Sequence, residues 1–223
     1  MSIRIGISKL VNVKFSHYRK TFGDNPFTLL DVGAGNHSAS KTKEIFPNCR
    51  YYGLDLDRNT NYSSLDFEVM EEFYELDLTT LKLDLIPDQF FDYINMAHVI
   101  EHLHNGDLVL PELFKKLKPN GYFYLEYPGP RSTKLPSMYG TLNFYDDPTH
   151  VRIYSLQEII PLFESNHFKL LEAGTRRNYF YILATPFRIL LALLQGRKLE
   201  GNLFWDLLGF AEFTFAQKMT QSN

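Results

Sequence analysis

Leu29-Leu30-Asp31-Val32-Gly33-Ala34-Gly35-Asn36-His37 is the stretch from which the rest of this chain can be read. A run suited to a buried strand reaches an acidic residue and then two glycines one position apart. Glycines there let the backbone turn sharply and approach a ligand closely, because a Cβ would obstruct both. The residues after Gly35 can open a helix whose free N–H groups face that ligand. Such a turn after the first strand of an α/β sheet is a seat for nucleotide-like ligands.

A dinucleotide fingerprint requires Gly-x-Gly-x-x-Gly, with a third glycine or alanine packing helix on strand. Ser38 stands at that third position, and the Asp31 carboxylate would repel a pyrophosphate. A ligand bearing an amino group and a sulfonium would meet no such repulsion. On these residues the chain resembles the class I S-adenosylmethionine-dependent methyltransferases, whose first motif reads Asp/Glu-x-Gly-x-Gly. It departs from many of them at His37, where they carry another glycine. The resemblance implies S-adenosyl-L-methionine as cofactor, held around Asp31, Gly33, Ala34, Gly35, Asn36 and His37.

From residue 27 onward strands and helices alternate at short spacing, the pattern of a mostly parallel sheet covered on both faces. The spacing predicts strands at Phe27–Asp31, Arg50–Asp55, Phe73–Leu78, Phe90–Met96, Gly121–Tyr127, Lys169–Ala173 and Phe210–Gln217. Helices are expected over 38–46, ended by Pro47, over Leu108–Leu117, ended by Pro119-Asn120-Gly121, and over Leu156–Ser165. The fold class is therefore α/β, a Rossmann-like doubly wound sheet of seven strands, mostly parallel, whose last strand the resemblance makes antiparallel. A chain of 223 residues with 44% hydrophobic content suits one domain over 1–223, with a helical insertion near 179–208.

Asp55 ends the second expected strand, where an acid binds ribose hydroxyls in α/β nucleotide sites. A carboxylate suits a vicinal diol because it accepts two charge-assisted hydrogen bonds. Asp57 is its nearest competitor. The stretch Phe90-Phe91-Asp92 to His98-Val99-Ile100-Glu101-His102-Leu103 resembles a Phe-Asp strand followed by a His-Val-x-Glu-His-Leu helix in many small-molecule methyltransferases. Leu117-Lys118-Pro119-Asn120-Gly121-Tyr122 matches their Leu-Lys-Pro-Gly-Gly turn, with Asn120 tolerating the left-handed conformation. Together these signals cover roughly residues 27–127. The resemblance implies Asp77 as the adenine-side acid, with Leu56, Leu78, Met96, Ala97 and His98 completing the cofactor pocket.

His98-x-x-Glu101-His102 also spells the inverted zinc-peptidase motif, in which two histidines hold zinc and a glutamate activates water. That chemistry needs another fold context and a third ligand downstream. No metal is expected, since no cluster outside His98–His102 has ligand spacing. Glu101 and His102 are read as helix-stabilising or facing substrate.

The loop Tyr139 to Arg152 concentrates polar and aromatic residues beyond the fifth strand, on the substrate side of such folds. His150 is the first candidate for a general base, with Asp147 or Asp146 orienting it. The competing reading is a structural histidine capping the helix at Ser155. Asp146-Asp147-Pro148-Thr149-His150-Val151-Arg152 resembles a segment of bacterial methyltransferases associated with surface-polysaccharide and lipid-linked modification. It implies O-methylation of a sugar or other small or lipid-linked acceptor, faced by His102, Tyr127, Tyr145 and Arg152.

Tyr179 to Leu194 is unusually apolar, yet shorter than the ~20 residues of a membrane span and interrupted by Pro186 and Arg188. A buried or dimer-forming helix and a peripheral membrane contact both account for it. The net charge of −3 gives no drive toward nucleic acid, and Lys14–Lys20, Arg176-Arg177 and Arg197-Lys198 read as solvated surface. One cysteine, Cys49, suits a reducing cytoplasm, and residues 1–15 lack the apolar run of a secretory signal. Two other functions fit parts of the pattern. One is a non-catalytic adenosylmethionine- or adenosylhomocysteine-binding protein. The other is a NAD-dependent oxidoreductase, disfavoured by Ser38, Asp31 and the lack of a substrate domain.

Overall fold

The computed structural model describes residues 13–59 and 62–220, so most of the N-terminal stretch read for a leader lies outside the described residues. The strands are β1 (Phe27–Val32), β2 (Cys49–Asp55), β3 (Glu72–Glu75), β4 (Phe91–Ala97), β5 (Leu117–Pro128), β6 (Phe168–Thr175) and β7 (Ala211–Lys218). The helices are α1 (Val13–Phe22), α2 (Ser38–Ile45), α3 (Ser64–Val69), α4 (Gly106–Lys116), α5 (Leu156–Ser165), α6 (Tyr179–Leu194) and α7 (Trp205–Leu208). The sheet order is β3-β2-β1-β4-β5-β7-β6, with β7 antiparallel to both neighbours, as expected.

Strand alternation divides the core into two layers. Leu30, Val32, Ile94 and Phe123 pack toward α4 and α5 through Leu113, Phe114 and Phe163. Leu29, Tyr51, Tyr93 and Tyr124 pack toward α1 and α2 through Tyr18, Ala39 and Ile45. All six residues of β1 are buried, as a strand covered on both faces requires. Strand order reverses between β1 and β4, so a crevice opens at their carboxyl ends.

Several expectations shift. β3 stops at Glu75, because Asp77 turns the chain into a 3-10 turn at Leu78–Thr80. The helix expected after β4 is only a 3-10 turn, Ile100–His102. His98 there takes a left-handed φ of 56°, and the Val151 and Arg152 amides both donate to the Glu101 carbonyl that a helix would need. β5 begins at Leu117 through an irregular pairing with β4, and Asn120 adopts the left-handed conformation expected of it. α1 and α3 carry no clear signal in the sequence. Between β6 and β7 lie α6, a 3-10 turn at Gly201–Phe204, and α7. Among the described residues no helix is long and apolar enough to cross a membrane.

Candidate active site

A cavity of about 520 Å³ opens at the tips of β1, β2 and β4, lined in part by Gly33, Gly35, Asn36, Asp55, Asp77 and His98. Leu56 and Leu78 also line it. Gly33 has a φ of 73°, and a Cβ there would stand 2.3 Å from Val99 Cγ2, so glycine is required twice over. Asn36 and His37 both adopt left-handed conformations, which explains the glycine often found at the second of them. His37 tolerates it because Nδ1 is anchored 2.8 Å from Asp66, a carboxylate that also accepts from the Ser63 amide and hydroxyl. Asp55 lies at the rim, accepting from the Leu56 amide and from Tyr62 OH, each at 2.8 Å. Asp77 caps the following turn through the Thr79 amide and hydroxyl.

Asp31 does not line this cavity. Its Oδ2 accepts from Lys14 at 3.1 Å, Tyr51 at 2.6 Å and the Ser38 hydroxyl, while Oδ1 accepts from Asn95 at 2.5 Å. Three donors thus crowd Oδ2 and one holds Oδ1, and the side chain is buried. Asp31 therefore ties α1, α2, β2 and β4 beneath the glycine turn rather than presenting itself to a ligand. Lys14, read in sequence as solvated surface, is one of its anchors. Ala34 and Met96 are likewise buried in the core, and Ala97 is half-buried at the end of β4.

A second cavity of about 240 Å³ adjoins the first and shares His98 and His102 with it. Glu101, Asp147 and His150 line one side, Thr141, Trp205 and Phe210 the other. His98 sits between two carboxylates, with Nδ1 3.4 Å from Glu101 and Nε2 3.1 Å from Glu126. Burial would lower its pKa, but those carboxylates hold it up at about 9, so the ring is a cation at neutral pH. Glu126 is driven down to about 2 against the effect of burial, by Arg176 at 2.9 Å and by His98. Arg176 continues to Asp206 of α7 at 2.6 Å. This buried charge chain, invisible in the spacing of Arg176-Arg177, fixes the orientation of His98.

His150 is brought against Glu101 by the amide contacts of the 147–152 loop, with Nε2 3.9 Å from Oε1. Neither expected carboxylate orients it. The Phe144 carbonyl accepts from Nδ1 at 2.7 Å, because Asp146 is spent on the Met138, Leu142 and Asn143 amides. Asp147 lies 3.8 Å from Nε2, and its Oδ1 accepts from Thr149. The capping alternative at Ser155 is not what the ring does. Three residues expected to face substrate stand elsewhere. Tyr127 is buried in the core, Tyr145 points to solvent, and Arg152 pairs with Asp107 and Glu158 while stacking on Tyr154.

Residues 10–173 match the family described as "Methyltransferase domain", and the chain belongs to that family. Its fold is that of the class I S-adenosylmethionine-dependent methyltransferases. Over 142 residues it is 28% identical to an uncharacterized methyltransferase, YcgJ, of Bacillus subtilis, covering 62% of this chain and 55% of that protein. The chain thus spans about half the length of the curated relative it matches. A methyltransferase structure from Mesorhizobium loti superposes with a TM-score of 0.65 at 12% identity, covering 93% of this chain and 98% of that one. The Burkholderia thailandensis 1,6-didemethyltoxoflavin-N1-methyltransferase, with S-adenosylhomocysteine bound, gives 0.57 at 16% identity, covering 92% and 75%.

Proposed function

We propose that this protein transfers a methyl group from S-adenosylmethionine to a hydroxyl of a sugar or related small group carried on a lipid, at a membrane surface. The cofactor occupies the cavity at the strand tips. The glycine turn at Gly33 leaves room for close backbone approach, and Asp55 offers the paired acceptors a ribose diol needs. Bound there, the cofactor supplies an electrophilic methyl on its sulfonium. The acceptor enters the adjoining cavity, where His98 and His102 form the shared wall. Glu101, His102 and His150 gather at this junction, where the hydroxyl that must lose its proton is placed. Holding the two reactants in line supplies much of the acceleration.

The observation that carries the lipid-linked acceptor is the segment between β6 and β7. Asn202 and Trp205 wall the acceptor cavity. In the same segment α6 exposes Phe180, Leu183, Phe187, Leu190 and Leu194, a stripe at helical spacing that faces away from the core. Arg188, Arg197 and Lys198 line a hollow beside it, suited to the anionic headgroups flanking such a stripe. α6 is thus not the buried helix that its composition suggests. Two assays test the reading. Protein should co-sediment with vesicles of mixed phosphatidylcholine and phosphatidylglycerol, and Leu183→Glu combined with Phe187→Glu should abolish this. With methyl-labelled cofactor and a membrane lipid extract, label should enter an organic-soluble glycolipid fraction. Label found only in water-soluble acceptors, with no vesicle binding, would exclude the lipid-linked reading.

A further inference from the structure

Among the described residues one group of three ligand-bearing side chains converges, namely Glu101, His102 and His150, with one donor atom from each within 4.8 Å of the others. Glu101 is 1% exposed, and among the described residues neither of its carboxylate oxygens has a hydrogen-bond donor. The nearest cationic group, His98, stops at 3.4 Å from Oε1. A buried carboxylate left without hydrogen bonds is costly, and such a group calls for a ligand.

Both histidines spend Nδ1 on a backbone carbonyl, which leaves Nε2 of each as its ligand atom. The Phe144 carbonyl can only accept, so His150 carries a proton on Nδ1 and turns Nε2 toward Glu101. The Thr149 carbonyl, 3.1 Å from His102 Nδ1, fixes that ring in the same tautomer. Thr149 Oγ1 adds to it at 3.0 Å, its own proton being given to Asp147. A ligating histidine commonly donates its other N–H to a backbone carbonyl. Two rings so arranged around a buried carboxylate that lacks a hydrogen-bond donor are a ligand set awaiting an ion.

We infer that Glu101, His102 and His150 bind a divalent transition-metal cation of the zinc type at the junction of the cofactor and acceptor cavities. Two imidazoles and one carboxylate suit zinc with an open position for a substrate oxygen. Ligand bonds of about 2.0–2.1 Å in tetrahedral geometry would bring the donor atoms to about 3.4 Å apart, a small closure from the 3.9 Å between His150 Nε2 and Glu101 Oε1. This inference rests on the reading of the second cavity as the acceptor site. The cation binds the acceptor hydroxyl and acidifies it. The O–H bond breaks and its proton leaves to solvent. The oxygen then forms a bond to the methyl carbon as the carbon–sulfur bond breaks, its electron pair remaining on sulfur to give neutral adenosylhomocysteine. The three residues bind the ion, and none takes the proton itself.

The experiment is calorimetric titration of chelator-stripped protein with Zn²⁺, alongside adenosylhomocysteine titration of the same samples. One Zn²⁺ per chain is expected, with affinity lowered at least tenfold in His150→Ala and in Glu101→Gln. Co²⁺ should give visible absorption bands that both variants lose. Adenosylhomocysteine affinity should be unchanged in both variants, which also certifies that they fold. Absent stoichiometric Zn²⁺ binding, or binding untouched by both substitutions, would overturn the metal site while leaving the cofactor reading intact. Zn²⁺ binding without adenosylhomocysteine binding would fail the methyltransferase reading instead. Should Glu101→Gln misfold, the comparison rests on His150→Ala and His102→Ala.

Discussion

The two adjoining cavities share His98 and His102, yet they are built by different means. The first is assembled from strand tips and the turns that follow them, so its polar groups stand at fixed offsets along the sequence. The second is assembled by folding the 139–152 loop and the 201–208 segment over the end of β4, through contacts between residues 40 to 100 positions apart. Glu101 meets His150 only because its carbonyl receives the Val151 and Arg152 amides. On the proposed reading, cofactor binding belongs to the sheet and acceptor chemistry to what is laid across it.

Substitutions should respect that division. The largest effect is expected at His150, where alanine should lower turnover by about 10²–10⁴-fold, the scale of losing a group that manages the acceptor proton. Adenosylhomocysteine affinity should stay within twofold. A folded His150→Ala enzyme with near-normal turnover would remove the ring from the chemistry. On the cofactor side, Asp66→Asn should cost about 1.5–3 kcal/mol of stability at neutral pH, the worth of hydrogen bonds to a buried charge. Burial alone would raise the pKa of Asp66, but His37, Ser63 and Ser40 hold it well below the ordinary carboxylate range. Its contribution is therefore complete above the unfolded value and is lost as pH falls through the folded one. The melting difference between wild type and variant should narrow on acidification, and a difference that widened would contradict the anchor role. The smallest effect is expected at Arg152, where alanine should cost about 1 kcal/mol of stability through lost surface pairs and ring stacking, with acceptor KM unchanged. A tenfold rise in KM without loss of stability would return Arg152 to the substrate.

What was legible in the sequence follows the same line. The sheet, the glycine turn and the rim acids could be placed because strand periodicity and turn chemistry act locally, and the antiparallel seventh strand came from the family resemblance. Asp31 lies off the strand-tip cavity for a physical reason. Its position at the end of β1 suggests a ligand, but nothing in the spacing reveals that Lys14, Ser38, Tyr51 and Asn95 all donate to it. The His98–Leu103 motif was recognised, yet its expected helix is a short turn, because the loop captures the carbonyl the helix would have used. His150, expected as a general base oriented by Asp147 or Asp146, lines the second cavity, with a carbonyl on its Nδ1 rather than either acid. Arg176 gave no signal, since a basic pair beside a strand normally faces water.

The division between the two cavities is reached most directly by one measurement. Calorimetric titration with adenosylhomocysteine should give one site per chain. Asp55→Ala should weaken it by about 1.5–3 kcal/mol, while His150→Ala should leave it unchanged. Equal affinity in wild type and Asp55→Ala, or loss of binding in His150→Ala, would contradict the assignment of the strand-tip cavity to the cofactor.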